Sequence, residues 1–567
     1  MPFARILLGS LLVLTSACTG SIGDGPSGSG RTGGGPNPTT TGTGGGPTIG
    51  PDGGLLPPLT LDDGRAMLRR LNRDEYNNTM RDLLGTATRP ADAFPADEIS
   101  AGFDTIGQYL AFSPLHSEQM ETATANLVDE LFARSAGDAI RKRILLCDLQ
   151  PGAEAACAGK ILSAFARRAY RRPVTQPEID SLLALVDKAR AGDTYENGLK
   201  AAMQAVLLSP HFVYRVERDA SHVTTPRTAT DDEMAARLSY FLWSSMPDDE
   251  LFASADDKRL MGDPAELPRQ IDRMLTDRKA LSLVTRFGAQ WLKLGRMANP
   301  LDVDPKIFPA YDDTLRTSAA QETLLFFDAL LRDNLPLGAL VTGGFTFADA
   351  RLAKHYGLPA AGKDFARVSL AGTPRSGILT QASVLLGTSL PNRTSPVKRG
   401  VWVLEQMLCE SPPPPPPNID IPPLMVPPAG ATIRQTLEVH RSSPMCAACH
   451  RVMDPLGFGL ENFDAIGAYR TMDNGATVDA SGLYDGKSFV GAEELASLVA
   501  GDARFARCVT EQLLTYAVGR SFRDGAAVRY ADALATNALA FGKSAWLTYV
   551  QTIAMSEASR TRPGETP

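Results

Sequence analysis

A mainly α-helical, multi-domain body followed by a small helical domain is the fold class predicted for this chain of 567 residues. Three observations predict it. Apolar residues recur at helical spacing through most of the text after about residue 70. Capping and stop residues bracket those stretches. The length allows roughly three or four domains of ordinary size. Hydrophobic residues make up 43% and charged residues 21%, the balance of a packed globular protein, which excludes wholesale disorder. A net charge of −7 offers no electrostatic footprint for nucleic acid. No apolar run reaches the ~20 residues that a membrane-spanning helix needs.

Residues 1–17 read as an export signal. Arg5 supplies the positive end, Ile6 to Leu14 is mostly apolar, and Thr15-Ser16-Ala17 leads into Cys18. The junction is similar to a bacterial lipobox, with Thr15 where leucine is more frequent, and implies lipidation at Cys18. The expected location is the outer membrane or the periplasm, with the membrane reached through the lipid. The lack of an Asp after Cys18 leans towards the outer membrane. Residues 18–62 read as the lipidated cysteine and its tether: positions 19–58 hold 15 Gly and 7 Pro. Such a segment cannot bury enough apolar surface to offset its ordering entropy, and as a coil it spans roughly 35 Å.

An N-terminal helical domain is expected over 63–135. Asn72 to Glu75 has the form of a capping box, Tyr76, Met80, Leu83 and Leu84 follow at helical spacing, and Gly85 is a stop. A second helical domain, 136–220, contains the amphipathic stretches Ile161–Tyr170 and Ile179–Ala189 and a segment running into Ser209-Pro210-His211-Phe212. A large central domain, 221–411, has a helical tract over 231–296 broken at Pro247 and Pro264, and a helix over 316–334 ended before Pro336. Its Gly-, Thr- and Phe-rich text at 342–372 allows short strands. Tyr240, Phe241 and Trp243 read as core. The six consecutive prolines Pro412–Pro417 form a polyproline rod of about 18 Å, within a linker spanning 412–430. The small domain is expected over 431–560, ending with a helix from Ser544 to Met555.

The chain has seven cysteines. Cys147 and Cys157 flank a polar Asp-Leu-Gln-Pro-Gly turn, which makes a local disulfide inexpensive to close. Cys409–Cys508 is then the residual pair, and it would staple the body to the C-terminal domain across the linker. Buried free thiols are the alternative for both.

Cys446-Ala447-Ala448-Cys449-His450 is C-x-x-C-H, the attachment pattern of a c-type haem. Two thiols one helical turn apart match the two vinyl groups on one porphyrin edge, and the next residue turns under the ring to ligate iron. A thioredoxin-like use would want a βαβ context, and a zinc site would want a second Cys/His pair nearby; neither follows. One covalent haem c is therefore expected, in a cytochrome c-like domain, with His450 as the proximal iron ligand. Pro455 resembles the proline whose carbonyl orients the axial histidine in small cytochromes c. Phe458, Leu460 and Phe463 would supply the apolar pocket that sets the potential. For the distal position Met472 is the candidate. Met555, His355 and His440 are alternatives, and an open site is another.

The block 446–470, CAACHRVMDPLGFGLENFDAIGAYR, resembles the C-terminal module of a bacterial, planctomycete-type family of multi-domain proteins of unknown function related to cytochrome c. Arg70–Tyr76 with Arg81–Gly85, Phe165–Pro173, Ser209–Arg215, Leu238–Trp243, Ala353–Gly357, Arg393–Val397 and Phe505–Arg520 resemble its other blocks. The resemblance implies a domain order and a haem module and supplies no reaction. Within these blocks, His355-Tyr356 before Gly357 is the main non-haem candidate, with packing or a capping hydrogen bond as the plainer reading. No hydrolase, zinc-protease, nucleotide or dinucleotide fingerprint occurs. The expected function is an envelope-anchored c-type haem protein passing single electrons to or from an unidentified redox partner. The rivals are a peroxidase- or oxidase-like haem enzyme with an open distal site, and a surface polymer-binding protein with a structural haem.

Overall fold

The computed structural model describes residues 68–217, 225–359, 362–413, 430–442, 444–523, 525–540, 542 and 544–562. The export signal, Cys18, the tether and residues 414–429 of the 412–430 linker lie outside the described residues. The described part is mainly helical, and its sheets are all two-stranded.

Local sequence chemistry sets the helix ends. Asn72 Oδ1 accepts the Glu75 N–H (2.8 Å) while the Glu75 carboxylate accepts the Asn72 N–H (3.1 Å), and the helix Arg73–Leu84 follows. Gly85, at φ 68°, closes it by donating its N–H to the Arg81 carbonyl. Reciprocal caps of the same kind open the helices Asp231–Trp243, from Thr230, and Ile433–His440, from Thr432.

The N-terminal helices Arg73–Leu84, Pro114–Ala133, Glu154–Tyr170, Gln176–Ala189 and Tyr195–Leu208 enclose one core, with Tyr76, Met80, Phe165, Met203 and Phe212 inside it. Two short strands, Arg69–Arg70 and Tyr214–Arg215, pair antiparallel and join the start of this region to its end. A disulfide links Cys147 to Cys157 (Cα–Cα 5.9 Å), fastening the preceding loop to the first turn of Glu154–Tyr170.

A larger core runs from Phe103 to Ala558. Trp291, Phe327 and Trp546 meet there, with ring centroids 5.1 to 6.2 Å apart. Met453, Leu456, Leu460 and Phe463 belong to the same cluster as Leu238 and Phe326, so residues of 431–560 share this core, beside a small cluster of Ile433, Leu437 and Phe458. The text at 342–372 forms a hairpin of Phe345–Ala348 with Ala366–Ser369. Two hairpins beyond the helical reading are Met472–Asp473 with Ala476–Thr477, and Ser481–Tyr484 with Lys487–Val490. Their turns are Asn474-Gly475 and Asp485-Gly486, with positive φ at all four residues, the two-residue turn that matches strand twist.

Helix Pro396–Trp402 crosses helix Pro444–Phe458 at backbone contact. A Cβ on Gly400 would overlap the Met453 carbonyl, and one on Gly457 would overlap the Pro396 carbonyl. The second disulfide, Cys409–Cys508 (Cα–Cα 5.1 Å), joins the segment after the first of these helices to helix Ala503–Val518. It closes a loop with a sequence separation of 99, for which chain entropy predicts about 4–5 kcal/mol.

Gly457→Ala should therefore destabilise the protein by at least about 2 kcal/mol in urea unfolding. Gly344→Ala, with open space around its Cβ position, should change stability by less than about 0.5 kcal/mol.

Candidate functional site

Helix Pro444–Phe458 carries Cys446, Cys449 and His450. Positions 446, 449, 453, 456 and 460 fall at three- and four-residue spacing, so they share a face. Met453, Leu456 and Leu460 are buried on it, and Cys449 packs partly against the same cluster. Both cysteines are half-buried free thiols, in contrast to the two disulfide pairs. They occupy the open end of an otherwise buried stripe. The Cys449 thiol donates to the Pro413 carbonyl (3.2 Å), so the first prolines of the linker lie over it.

His450 is held from one side. Its Nδ1 lies 3.0 and 3.1 Å from the two oxygens of Asp454, one turn further along the helix. The Asp454 side chain is fully buried. An ionised carboxylate only accepts, so Nδ1 carries a proton, and in the neutral ring Nε2 then keeps its lone pair. The His440 ring meets His450 edge to face at 4.8 Å, and burial beside that second imidazole holds His440 below the ordinary histidine range.

The other predicted residues lie apart. Pro455 is inside the helix, and its carbonyl faces Gly482 of the following hairpin; the Nδ1 partner is Asp454 in its place. Phe458 is buried with Ile433 and Leu437, under the Arg434 guanidinium (4.0 Å), and seats the Ile433–His440 helix. Leu460 and Phe463 are core residues. Met472 is half exposed on its hairpin, with its sulfur 3.8 Å from the Thr477 hydroxyl. The adjacent Asp473 accepts from the Ile433 N–H, at the opposite end of the helix that brings His440 to His450, about 10 Å along the axis. Met555 packs against the large core. Among the described residues no group of His, Cys, Asp and Glu side chains could by itself hold a metal ion.

Behind the motif helix a buried arginine fixes the loop that follows it. Arg399 Nη1 donates to the carbonyls of Leu460 and Phe463 (both 2.7 Å) and to Glu461 Oε1 (3.0 Å), and Nη2 donates to the Asp464 carbonyl (2.7 Å). Glu461 also accepts from Thr394 (2.6 Å) and Arg470 (2.9 Å). Burial pushes the Arg399 guanidinium down to about 10.

The same loop reaches His355 and Tyr356. His355 Nε2 meets the Ile466 carbonyl (2.8 Å), and Arg375, stacked 3.6 Å over the Tyr356 ring, donates to the Gly467 carbonyl (2.6 Å). Tyr356 donates to Glu322 (2.6 Å), which also accepts from Thr346 (2.5 Å). Glu322 is fully buried, and desolvation raises its pKa to about 7. These contacts serve packing, and His355 spends its ring nitrogen on a backbone carbonyl.

The motif pattern of the sequence leaves Asp454, Arg399 and Glu461 without assigned partners. The i,i+4 spacing of His450 and Asp454 on a helix was the available signal for the first. The Arg399–Glu461 pair spans more than sixty positions and has no local signal.

Glu461→Gln would leave Arg399 buried without its charge partner and should cost roughly 3–5 kcal/mol in chemical denaturation. Glu322 gives a pH test. Its folded pKa lies above the ordinary 4.5, so at rising pH the unfolded chain ionises first. The contribution of Glu322 to stability should fall by about 3 kcal/mol between pH 4.5 and pH 7 and level off above. Urea unfolding at pH 5 and pH 8 should show that term in the wild type and lose it in Glu322→Gln.

Five family models match the chain, each a protein of unknown function: DUF1587 at 69–133, DUF1595 at 157–217, DUF1592 at 229–358, DUF1588 (labelled PSCyt3) at 375–473, and DUF1585 at 485–540. The DUF1588 match contains both crossing helices, the motif and the Arg399–Glu461 pair. No curated protein and no solved structure matches the chain. The five matches follow one another in order along the chain, from residue 69 to residue 540.

Proposed function

We propose that this is a c-type haem protein that passes single electrons to or from a redox partner. Cys446 and Cys449 would carry one covalent haem, and His450 Nε2 would be the proximal ligand. One observation carries the reading: two free thiols one helical turn apart lie beside a histidine whose Nδ1 is held by a buried carboxylate. The residues fit the group. Each thiol adds across one vinyl double bond and nothing leaves. When bound, the haem supplies one-electron chemistry at its iron.

The chain's own residues prepare the site. Asp454 keeps the proton on Nδ1, which fixes the ring orientation and strengthens the donor at Nε2. Arg399 and the two close-packed glycines hold the motif helix against the body. The label of the matching family model, PSCyt3, agrees with a cytochrome-like role. Export by residues 1–17 and lipidation at Cys18 would set the protein on the envelope, outside the cytoplasm, where c-type haem is attached.

Met472 bears on the distal position. It sits at the far end of the Ile433–His440 helix from His450, which favours the second reading, a haem enzyme with an open distal site. The full chain should be produced with c-type maturation, denatured, and examined for haem that stays on the polypeptide. Wild type should retain it, and Cys446→Ser with Cys449→Ser should lose it. Carbon monoxide binding to the reduced protein would favour the enzyme over the carrier. Wild type without covalent haem would overturn both redox readings and leave the polymer-binding protein.

A further inference from the structure

Helix Pro396–Trp402 has two faces in use. Arg399 and Gly400 meet the motif helix and the loop after it. By helical spacing, positions 397, 398, 401 and 402 fall on the opposite face, and there they line a cleft of about 230 Å³. Leu292, Val384 and Gly387 line it from other segments. The helix runs on into a wider π-helical turn, Val403–Met407, a form frequent at functional sites, which adds Glu405 to the lining. Trp291 fixes that turn by donating its ring N–H to the Gln406 carbonyl (2.9 Å).

The cleft combines an apolar floor with a basic rim. Leu292, Val384 and Trp402 are buried. Lys293, Arg296 and Lys398 are exposed and line the same space. Glu405 is the one carboxylate among the lining residues, and Lys293 Nζ already holds it (2.7 Å). Arg296 spends one nitrogen on the Gly387 carbonyl. Among the described residues neither Arg296 nor Lys398 has a carboxylate partner, so two positive charges stand uncompensated at the rim. Partial burial and the neighbouring Arg296 and Arg393 charges hold Lys398 below the ordinary lysine range. Cations that repel one another around an apolar hollow, each still open to solvent, gain when an anion joins them.

We propose that this cleft binds a small carboxylate with an apolar body of about one ring, its charge between Lys398 and Arg296 and its body against Trp402 and Val384. Both parts of such a ligand have a counterpart. The floor lets an apolar body leave water, and the rim supplies the opposite charge. Inorganic phosphate has no body to bury, acetate has almost none, and a neutral aromatic alcohol brings no charge to the rim.

Isothermal titration of the full chain with benzoate and 3-phenylpropionate, at fixed ionic strength, tests this against acetate, inorganic phosphate and benzyl alcohol. At least one aromatic acid should bind saturably at one per chain, and each comparison compound at least tenfold more weakly. Lys398→Glu should weaken that binding at least tenfold. Lys398→Met, which keeps the stem and loses the charge, should weaken it in the same direction even if the glutamate variant fails to fold. Lys188→Glu makes the same change of net charge at an exposed position of helix Gln176–Ala189, outside the cleft, and should leave the affinity within twofold. Absence of saturable binding by both aromatic acids, a preference over phosphate or benzyl alcohol of less than tenfold, or a Lys398 effect no larger than that of Lys188→Glu would overturn the proposal.

Discussion

The crossing of helices Pro396–Trp402 and Pro444–Phe458 is the contact on which the rest of the site depends. Two glycines let the backbones touch, because a side chain at either would strike a carbonyl of the other helix. Close approach of this kind leaves no freedom in register: a slip of one residue would put a Cβ where a carbonyl must pass. Arg399, next to Gly400, then reaches through the contact and collects three carbonyls and a carboxylate from residues 460–464. A fully buried guanidinium is tolerable only when nearly every donor is used, so the loop is held as firmly as the helix.

That rigidity explains the two ends of the motif helix. Its C-terminal half is core, with Met453 and Leu456 in the large cluster and Leu460 just beyond its end. Its N-terminal half presents Cys446, Cys449 and His450 at the edge, where the first prolines of the linker cross over Cys449. The Cys409–Cys508 disulfide anchors the chain just before those prolines. The protein thus separates its described cysteines into two kinds: four tie loops to helices, and two remain as free thiols one helical turn apart. His450 is oriented by its own helix, through Asp454, and by its neighbour His440.

Helix ends were readable because their causes are local. Asn72, Glu75 and Gly85 bracket a helix within fourteen positions, and the structure uses all three as caps. Asn474-Gly475 and Asp485-Gly486 carry an equally local turn signal, which the helical expectation for 431–560 leaves unused. Pro455 is the instructive difference. A proline after a haem-type motif suggests a carbonyl for the histidine ring, yet the helix continues through it to Phe458, and the carboxylate one turn from His450 takes the ring proton.

The sequence by itself determined the helical class, the helix caps, the spacing of the two thiols and the histidine, and the pairing of Cys147 with the nearby Cys157. All of these depend on residues a few positions apart, where chain geometry leaves little choice. Only the tertiary structure decided that residues 431–560 share a core with the body, that Arg399 finds Glu461, and that Asp473, next to Met472, caps the start of helix Ile433–His440. Those outcomes depend on which apolar faces bury each other and on where each buried charge finds compensation. Both are properties of the whole packed chain, set by desolvation across distances in sequence that no local pattern records.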